Sequence, residues 1–376
     1  MTVLTPRTLE DAQEILRLYE ESESNASKLA QAIEKPAPTV RRWVQMAKKI
    51  VSNKGYDVPQ THFVKGYSTL YDGDGNIKQE WVKTDIEKQD AYEAIREAVE
   101  NLTDEMPREK TVKLPKINNN DLASCYVLTD YHLGQLSWGD ECGEDWDMEI
   151  AYELINNWFG SAIKSAPNSH TGVLCQLGDF LHWDGMEAVT PSSGHVLDAD
   201  SRFPKLVDLS IKALRIIIKM MLEKHKHVHV VLAEGNHDMS SSIWLRSLFS
   251  ALFENEPRVT IDNTHSPFYC FEWGLTSLFF HHGHKKRIGQ ISNVFAGKYR
   301  EVFGRTKYSY GHMGHMHHID VKEDQLMVIE QHPTLSAKDA HSARGGYASK
   351  RAANVVTYSK KYGEVSRMTI RPEMVM

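Results

Sequence analysis

From residue 122 onward, five short apolar runs each lead into a cluster of Asp, Asn or His beside a glycine. No other feature constrains the fold as much. The runs are SCYVLTD, ending in Asp130-Tyr131-His132, and GVLCQLGD, ending in Gly178-Asp179. HVHVVLAEGNHD ends in Gly235-Asn236-His237-Asp238, LTSLFFHHG runs into His281-His282-Gly283-His284, and YSYGHMGHMH carries Gly314-His315-Met316-His317. Short apolar runs bounded by turn residues read as buried strands. FYCFEWG, QLMVIEQ and ANVVTYS add further strands, and FPKLVDLSIKALRIIIKMMLEK a helix among them. Strands that alternate with helices and then follow one another predict an α/β domain with two packed sheets. Ligands of open α/β sheets bind just beyond the carboxyl ends of strands, which is where these polar residues fall. Their mix of nitrogen and oxygen donors without thiolate suits Mn, Fe, Zn or Mg. One such motif is commonplace; five in this order within one domain are not.

The series D-x-H, G-D, G-N-H-D, H-G-H and G-H-x-H resembles the calcineurin-like metallophosphoesterase superfamily over residues 122 to about 365. The resemblance implies a two-sheet αββα sandwich holding two divalent metal ions, Mn first among the candidates. It would give Asp130, His132 and His317 to the first metal, and Asn236, His282 and His315 to the second, with Asp179 bridging both. His282 is preferred to His281 because Gly283 follows it. His312 and His318 fall outside the G-H-x-H match. His237 would protonate the leaving oxygen, with His182 and Asp238 beside it in the catalytic group. Two cations about 3.5–4 Å apart polarise phosphoryl oxygens and acidify a shared water, which then attacks phosphorus in line.

One departure bears on the substrate. Phosphoprotein phosphatases of the superfamily read G-D-x-x-D-R-G, whereas this chain has His182 and Trp183 at the Asp and Arg positions. Loss of the Arg removes a bidentate grip on a monoester dianion. A His at this place resembles the branch of DNA double-strand-break repair nucleases (SbcCD type). His182 reads either as a substrate contact or as support for a ligand. Lys285, Lys286 and Arg287 follow His282, with Lys298, Arg300, Arg305 and Lys307 beyond, consistent with a phosphate backbone or with a solvated helix. The segment TPSSGHVLDADSRF offers His195, Asp198, Asp200 and Arg202, and RGGYASKR (344–351) is a Gly-hinged basic loop. The expected substrate contacts are therefore His284, Lys285, Lys286, Arg202 and His195. The histidines of HKHVHV read as structural.

Ahead of this domain, residues 8–50 read as three helices, with Asn25 as an N-cap before SKLAQAI, a turn at EKPAP, and TVRRWVQMAKKI as the third. Helix, short turn and basic helix is the pattern of a helix-turn-helix, with Arg41, Arg42, Lys48 and Lys49 toward DNA; a plain three-helix packing module fits the same pattern. Residues 61–84 alternate as a β-hairpin around DGDGN, where Ile77 stands in place of the glycine that a calcium loop requires. A polar helix (DIEKQDAYEAIREAVENL) and a linker follow. The expected domains are 1–54, helix-turn-helix-like; 55–118, hairpin plus helix; and 119–376, phosphoesterase.

Across all 376 residues the net charge is −6, so no global positive field marks a nucleic-acid binder, although local patches could serve. The four cysteines form no CxxC pair, which fits a reducing compartment. No basic leader or membrane-length apolar run is present, so the expected location is cytoplasmic. The layout of helical leader plus this catalytic pattern is also similar to phosphoesterases encoded by phages, which would mean a host's cytoplasm. The leading expectation is a phosphodiesterase acting on nucleic acid, a DNA nuclease, with a homodimer open. A phosphomonoesterase or small-molecule phosphodiesterase is the alternative, and a DNA-binding regulator with a vestigial esterase domain a third.

Overall fold

The computed structural model describes residues 9–22, 25–33, 35, 37–52, 62–71, 77–86, 108–116, 119–191, 193–347 and 349–376. The chain divides into two units, Met1–Ala98 and Val99–Met376. In the first, α1 (Leu9–Glu21), α2 (Ala26–Ala32) and α3 (Ala37–Ser52) pack around Ala12, Ile15, Leu29, Val40, Val44 and Ala47. Asn25 Oδ1 accepts the Lys28 N–H at 3.2 Å, capping α2. Arg41 and Lys48 of α3 are exposed, and Lys48 lies over the Tyr19 ring. The side chains of Arg42 and Lys49 lie outside the described residues, as do the hairpin turn 72–76 and residues 87–107. Strands β1 (His62–Tyr71) and β2 (Ile77–Ile86) pair antiparallel, and β2 takes in the first two residues of the expected polar helix.

The second unit is a mixed α/β fold of two sheets. One has six strands in the order β13-β12-β3-β4-β5-β6: β3 (Asn119–Leu128), β4 (Ser169–Gln176), β5 (His227–Leu232), β6 (Val259–Ile261), β12 (Ala353–Ser359) and β13 (Gly363–Ile370). Here β3 to β6 run parallel, while β12 and β13 are antiparallel to their neighbours. The other has five strands in the order β10-β11-β9-β8-β7: β7 (Tyr269–Trp273), β8 (Thr276–His281), β9 (Tyr308–Met313), β10 (Asp320–Glu323) and β11 (Val328–Gln331).

Side-chain alternation fixes the layers. On β3, Tyr126 and Leu128 face a core shared with helices α5 (Met148–Ser165), α6 (Phe203–Lys224) and α7 (Met239–Leu252). Ala123, Cys125 and Val127 face the other way, into a core shared with Tyr269, Leu278 and Phe280 of the second sheet. Phe279, on the far side of β8, packs with Ile291 and Phe295 of α8 (Ile288–Lys298). The order is helices, sheet, sheet, helix, and strands buried on both faces read as the continuous apolar runs seen in the sequence. Three short helices complete the fold: α4 (Gly139–Cys142), α9 (Arg300–Arg305) and α10 (Ala340–Arg344). Residues 108–116, expected within a linker, are tied to this unit: Glu109 pairs with Arg215 and Lys219 of α6, and its N–H bonds Leu252 O at 3.0 Å.

Candidate metal centre

The parallel strands β3, β4 and β5 of one sheet and β8 and β9 of the other all end at the same rim. The five polar clusters therefore converge. Among the described non-glycine residues only Asp130, His132, Asp179, His315 and His317 have left-handed backbones, with φ between 47° and 75°. L-residues avoid this region, at about 1–3 kcal/mol each, and persist there only where the surroundings over-determine them.

Those surroundings are visible. The Asp130 carbonyl accepts from Thr334 Oγ1 at 2.6 Å and Ser336 Oγ at 2.9 Å, while its Oδ2 accepts the His315 N–H at 2.8 Å. Asp179 Oδ1 accepts the His237 N–H at 2.8 Å. Two glycines make room for this. A Cβ on Gly314 would overlap Thr129 Oγ1 and come within 2.6 Å of Asp130 Oδ2, and one on Gly235 would overlap Asp179 Oδ1.

Besides a cluster of three imidazoles, His132-His182-His237, two donor groups containing carboxylates result, Asp130-His132-His317 and Asp130-Asp179-His282-His315. Asp130 belongs to both, where the shared role was expected of Asp179. Asn236 Oδ1 joins the second group, 3.1 Å from His282 Nε2. His282 Nε2 is also 3.0 Å from Asp179 Oδ2, and His317 Nε2 is 3.2 Å from Asp130 Oδ1 and 3.3 Å from His132 Nε2. Ligands on one ion at about 2.1 Å stand about 3.0–3.4 Å apart in octahedral or tetrahedral geometry. The observed spacings match that range. His282 Nδ1 donates to Leu177 O at 2.8 Å, which leaves Nε2 as the lone-pair nitrogen. Asp130 Oδ1 is buried and makes no hydrogen bond of its own. A buried, orphaned carboxylate oxygen facing imidazole nitrogens is satisfied by a cation, so the donor set fits two divalent ions.

Electrostatics agree. Burial acts to raise Asp130 and Asp179, but the facing histidines outweigh it and hold both carboxyls well below the usual range. Burial acts to lower His282, yet the Asp179 and Asp130 carboxylates push it up to about 10, a proton standing where positive charge is wanted. Burial pushes His132 well down and His182 down to about 3.

His237 lines the cleft above the donors, with Nδ1 donating to His182 O at 2.8 Å. His182 lies behind it: its ring stacks on His237 at 5.6 Å, and its Nδ1 shares a 3.2 Å hydrogen bond with His132 Nδ1. It is buried and does not line the cleft, so it supports a ligand rather than touching substrate. Asp238, expected among the catalytic residues, has another task. Its two oxygens accept the N–H groups of Asp179, Phe180, Leu181 and Gly235 at 2.7–3.3 Å, bracing the turn that carries Asp179. Trp183, in the place of the phosphatase Arg, is buried against Gly134. Asp184 beside it caps α7 through the Ser240 and Ser241 N–H groups.

A cleft of about 900 Å³ opens over the donors, and its lining corrects the expected substrate contacts. His284, Lys285, Lys286, Arg202 and His195 do not line it. His284 packs behind His282, ring centroids 5.4 Å apart. Lys285 and Lys286 are exposed ahead of α8, Arg202 is exposed at the start of α6, and the loop carrying His195 folds on itself through a Val189–Val196 bridge. Of the further basic residues, Arg305 is engaged by Glu272 and Lys298 lies over the Phe268 ring, the solvated-helix reading. The wall comes instead from Lys338, Asp339, His341, Tyr347, Lys350, Arg351 and Arg371. Tyr347, Lys350 and Arg351 belong to the Gly-hinged basic segment RGGYASKR, whereas nothing in the sequence beside Lys338, Asp339 or Arg371 marks them. His225 of HKHVHV is structural, held by Tyr126 OH at 2.8 Å and by Ser169. Among the described residues no helix is long and apolar enough to cross a membrane.

No family model matches the chain, and no curated protein matches it. Among solved structures it is similar to a dimetal phosphatase from Danio rerio, at 11% identity over 67% of this chain and 99% of that one, TM-score 0.36. An archaeal phosphodiesterase matches at 12% identity over 66% of this chain and 99% of that one, TM-score 0.32. A 5'-nucleotidase from Candida albicans matches at 12% identity over 69% and 54%, TM-score 0.31. At such scores the likeness carries no weight of its own; the side-chain geometry does.

Proposed function

We propose that this chain is a two-metal phosphoesterase that cleaves phosphodiesters of nucleic acid. The observation that carries the metal reading is the coincidence of strain and donors: among the described residues, all five left-handed non-glycine residues are donors of one largely buried cluster. Asp130, His132 and His317 would hold one ion, and Asn236, His282 and His315 the other, with Asp179 and Asp130 close to both. Bound there, the ions would polarise phosphoryl oxygens and acidify an attacking water.

The chain's own residues do the rest. His237 keeps Nδ1–H on the His182 carbonyl, which directs Nε2 into the cleft, where its proton can pass to the leaving ester oxygen. His182 fixes the orientation of both His132 and His237. Asp238 and the Thr334–Ser336 pair hold the Asp179 and Asp130 turns, so that the donors need no reorganisation on binding. Trp183, at the position of the phosphatase Arg, is buried, so no cationic fork for a monoester dianion stands at that position, which favours diesters. Mn is the leading metal for this N/O set. The first unit, with Arg41 and Lys48 exposed on α3, is proposed to bring the DNA.

The test is turnover of end-labelled DNA, bis(p-nitrophenyl) phosphate and p-nitrophenyl phosphate in Mn²⁺ by wild type and Asp179→Asn. Cleavage of DNA and the chromogenic diester by wild type alone supports the proposal. Turnover confined to the monoester removes the diesterase reading, and none at all with any divalent metal removes the enzyme.

A further inference from the structure

The cleft is much larger than one phosphate group requires; about 300–1,000 Å³ accommodates a whole drug-sized ligand. Its metal side is accounted for by the donors and His237, and the outer wall is not. Four cations line that wall, and they differ in how they are engaged. Arg351 is committed: it donates to Leu335 O at 2.7 Å, pairs with Glu144 and lies over the Trp146 ring at 5.1 Å. Lys338, Lys350 and Arg371 are exposed and carry no ion pair among the described residues. Of the acids facing them, Glu144 is taken by Arg351 and Asp339 caps α10 by accepting the Ser342 N–H at 2.8 Å. Glu373 is the exposed carboxylate left on this side.

Tyr347 stands among these cations with 66% of its surface exposed. It is nonetheless seated. A Cβ on Gly345 would fall 2.6 Å from Tyr347 Cε2 and 2.8 Å from Cδ2, so one side of the ring lies on bare backbone. Gly345 has an ordinary φ of −73°, and the ring occupies the space that its missing side chain leaves. An exposed aromatic ring resting on backbone, in one cleft with uncommitted cations and beside the proposed phosphoester-cleaving centre, suits one ligand chemistry. Bases stack on aromatic rings while cations follow the backbone, as in single-strand binding.

Resting on the phosphodiesterase reading above, we propose that this wall is the strand-binding subsite. It holds a single polynucleotide strand, with Tyr347 stacking one base and Lys338, Lys350 and Arg371 on flanking phosphates. Stacking needs an unpaired base, which sets the preference for single strands over duplex.

The experiment uses the full chain in Mn²⁺ with a phosphorothioate-linked oligo(dT) that resists cleavage. It is measured as a competitive inhibitor of bis(p-nitrophenyl) phosphate turnover, and in parallel by fluorescence anisotropy. The inhibition constant reads occupancy of the cleft alone. Tyr347→Ala is expected to weaken oligo(dT) inhibition about tenfold, to leave inhibition by an abasic strand of equal length nearly as it was, and to be rescued by Tyr347→Phe. Replacing Lys338, Lys350 and Arg371 together with Ala is expected to reduce the salt slope of log K by about 2, at about 0.7 per single-strand phosphate contact. Equal inhibition of all variants, or duplex binding more tightly than single strand, overturns the proposal. If the chromogenic diester is not turned over at all, the phosphodiesterase reading fails, and anisotropy with the same variants decides the wall by the same criteria.

Discussion

A left-handed backbone at a donor reverses the order of glycine and alanine familiar from helices and strands. His317 has φ 55° and a side chain one-third exposed, so truncating it removes the ring contacts without leaving a deep cavity. Compare His317→Gly with His317→Ala in excess chelator, where neither variant gains stability from metal. Both lose the same contacts to Asp130 and His132. The alanine must still sit in the left-handed region, at about 1–2 kcal/mol. The glycine avoids that penalty but loses more freedom on folding, which costs it about 0.4–1 kcal/mol. The net expectation is that Gly is the more stable variant, by about 1 kcal/mol. His318 provides the reference: it is the next residue, exposed, and without a positive φ. There Ala should win by about 0.4–1 kcal/mol, so the difference between the two pairs is about 1–2 kcal/mol. Urea unfolding of the four variants, read by linear extrapolation with a shared slope, resolves this. If Ala is the more stable residue at both positions, the His317 backbone is unstrained, and the main support for a preorganised metal centre is gone.

Three other outcomes follow from the same geometry. Gly314→Ala removes no ligand but drives a Cβ onto Thr129 and Asp130; diester turnover should fall at least 100-fold, whereas Gly304→Ala, with open space around its Cβ, should stay near wild type. Mn²⁺ at 100 times its dissociation constant should stabilise the wild type by about 2.7 kcal/mol for each ion bound, seen as a raised thermal midpoint; an equal gain in Asp130→Asn would remove Asp130 from the ligand set. Burial pushes His225 down to about 4, while the unfolded chain protonates near 6.5. The unfolded state therefore binds more protons in between, so the His225 contribution is full above pH 6.5 and falls by about 3 kcal/mol as pH drops to 4. His225→Gln should flatten that part of the curve, and parallel pH profiles for the two proteins would contradict the assignment.

How far the sequence could be read varied with how local each cause is. Helix α6 was legible from end to end, because Leu206, Ala213, Leu214, Ile217, Ile218 and Met221 recur on one face inside its own 22 residues. The strands carrying the donors were legible because they are buried on both faces. Strands β6, β10 and β13 were not. The first has only three residues, all four side chains of β10 are exposed, and β13 is an edge strand with mostly polar positions. The donors were legible as residue types at strand ends. The direction of Asp238 was not, since four backbone N–H groups from two segments, 179–181 and Gly235, decide where its carboxylate points. Nor were Lys338 and Arg371 as walls of one cleft: 33 residues apart, they share it because β12 and β13 return the chain to the rim. A surface basic run such as Lys285–Arg287 looks the same in sequence whether it faces a cleft or solvent.

The two sheets solve the same local problem in the same way. In a strand that simply continued, residues i and i+2 would share a face but stand about 6.6 Å apart along it, whereas ligands of one ion stand about 3.0–3.4 Å apart. At the end of β3, Asp130 and His132 are both left-handed with one residue between them; at the end of β9, so are His315 and His317. Each pair curls its exit so that side chains two apart in sequence enter the same donor cluster, and the two exits interlock. His315 N–H bonds Asp130 Oδ2, and His132 Nε2 meets His317 Nε2 at 3.3 Å. Five such residues together cost about 5–15 kcal/mol, as much as the whole net stability of an ordinary domain. Any chain that no longer used the site would be stabilised by replacing them with glycine or by relaxing the turns. That all five stand as Asp and His, each braced by hydrogen bonds from other segments, argues for a centre in use and against a vestigial one.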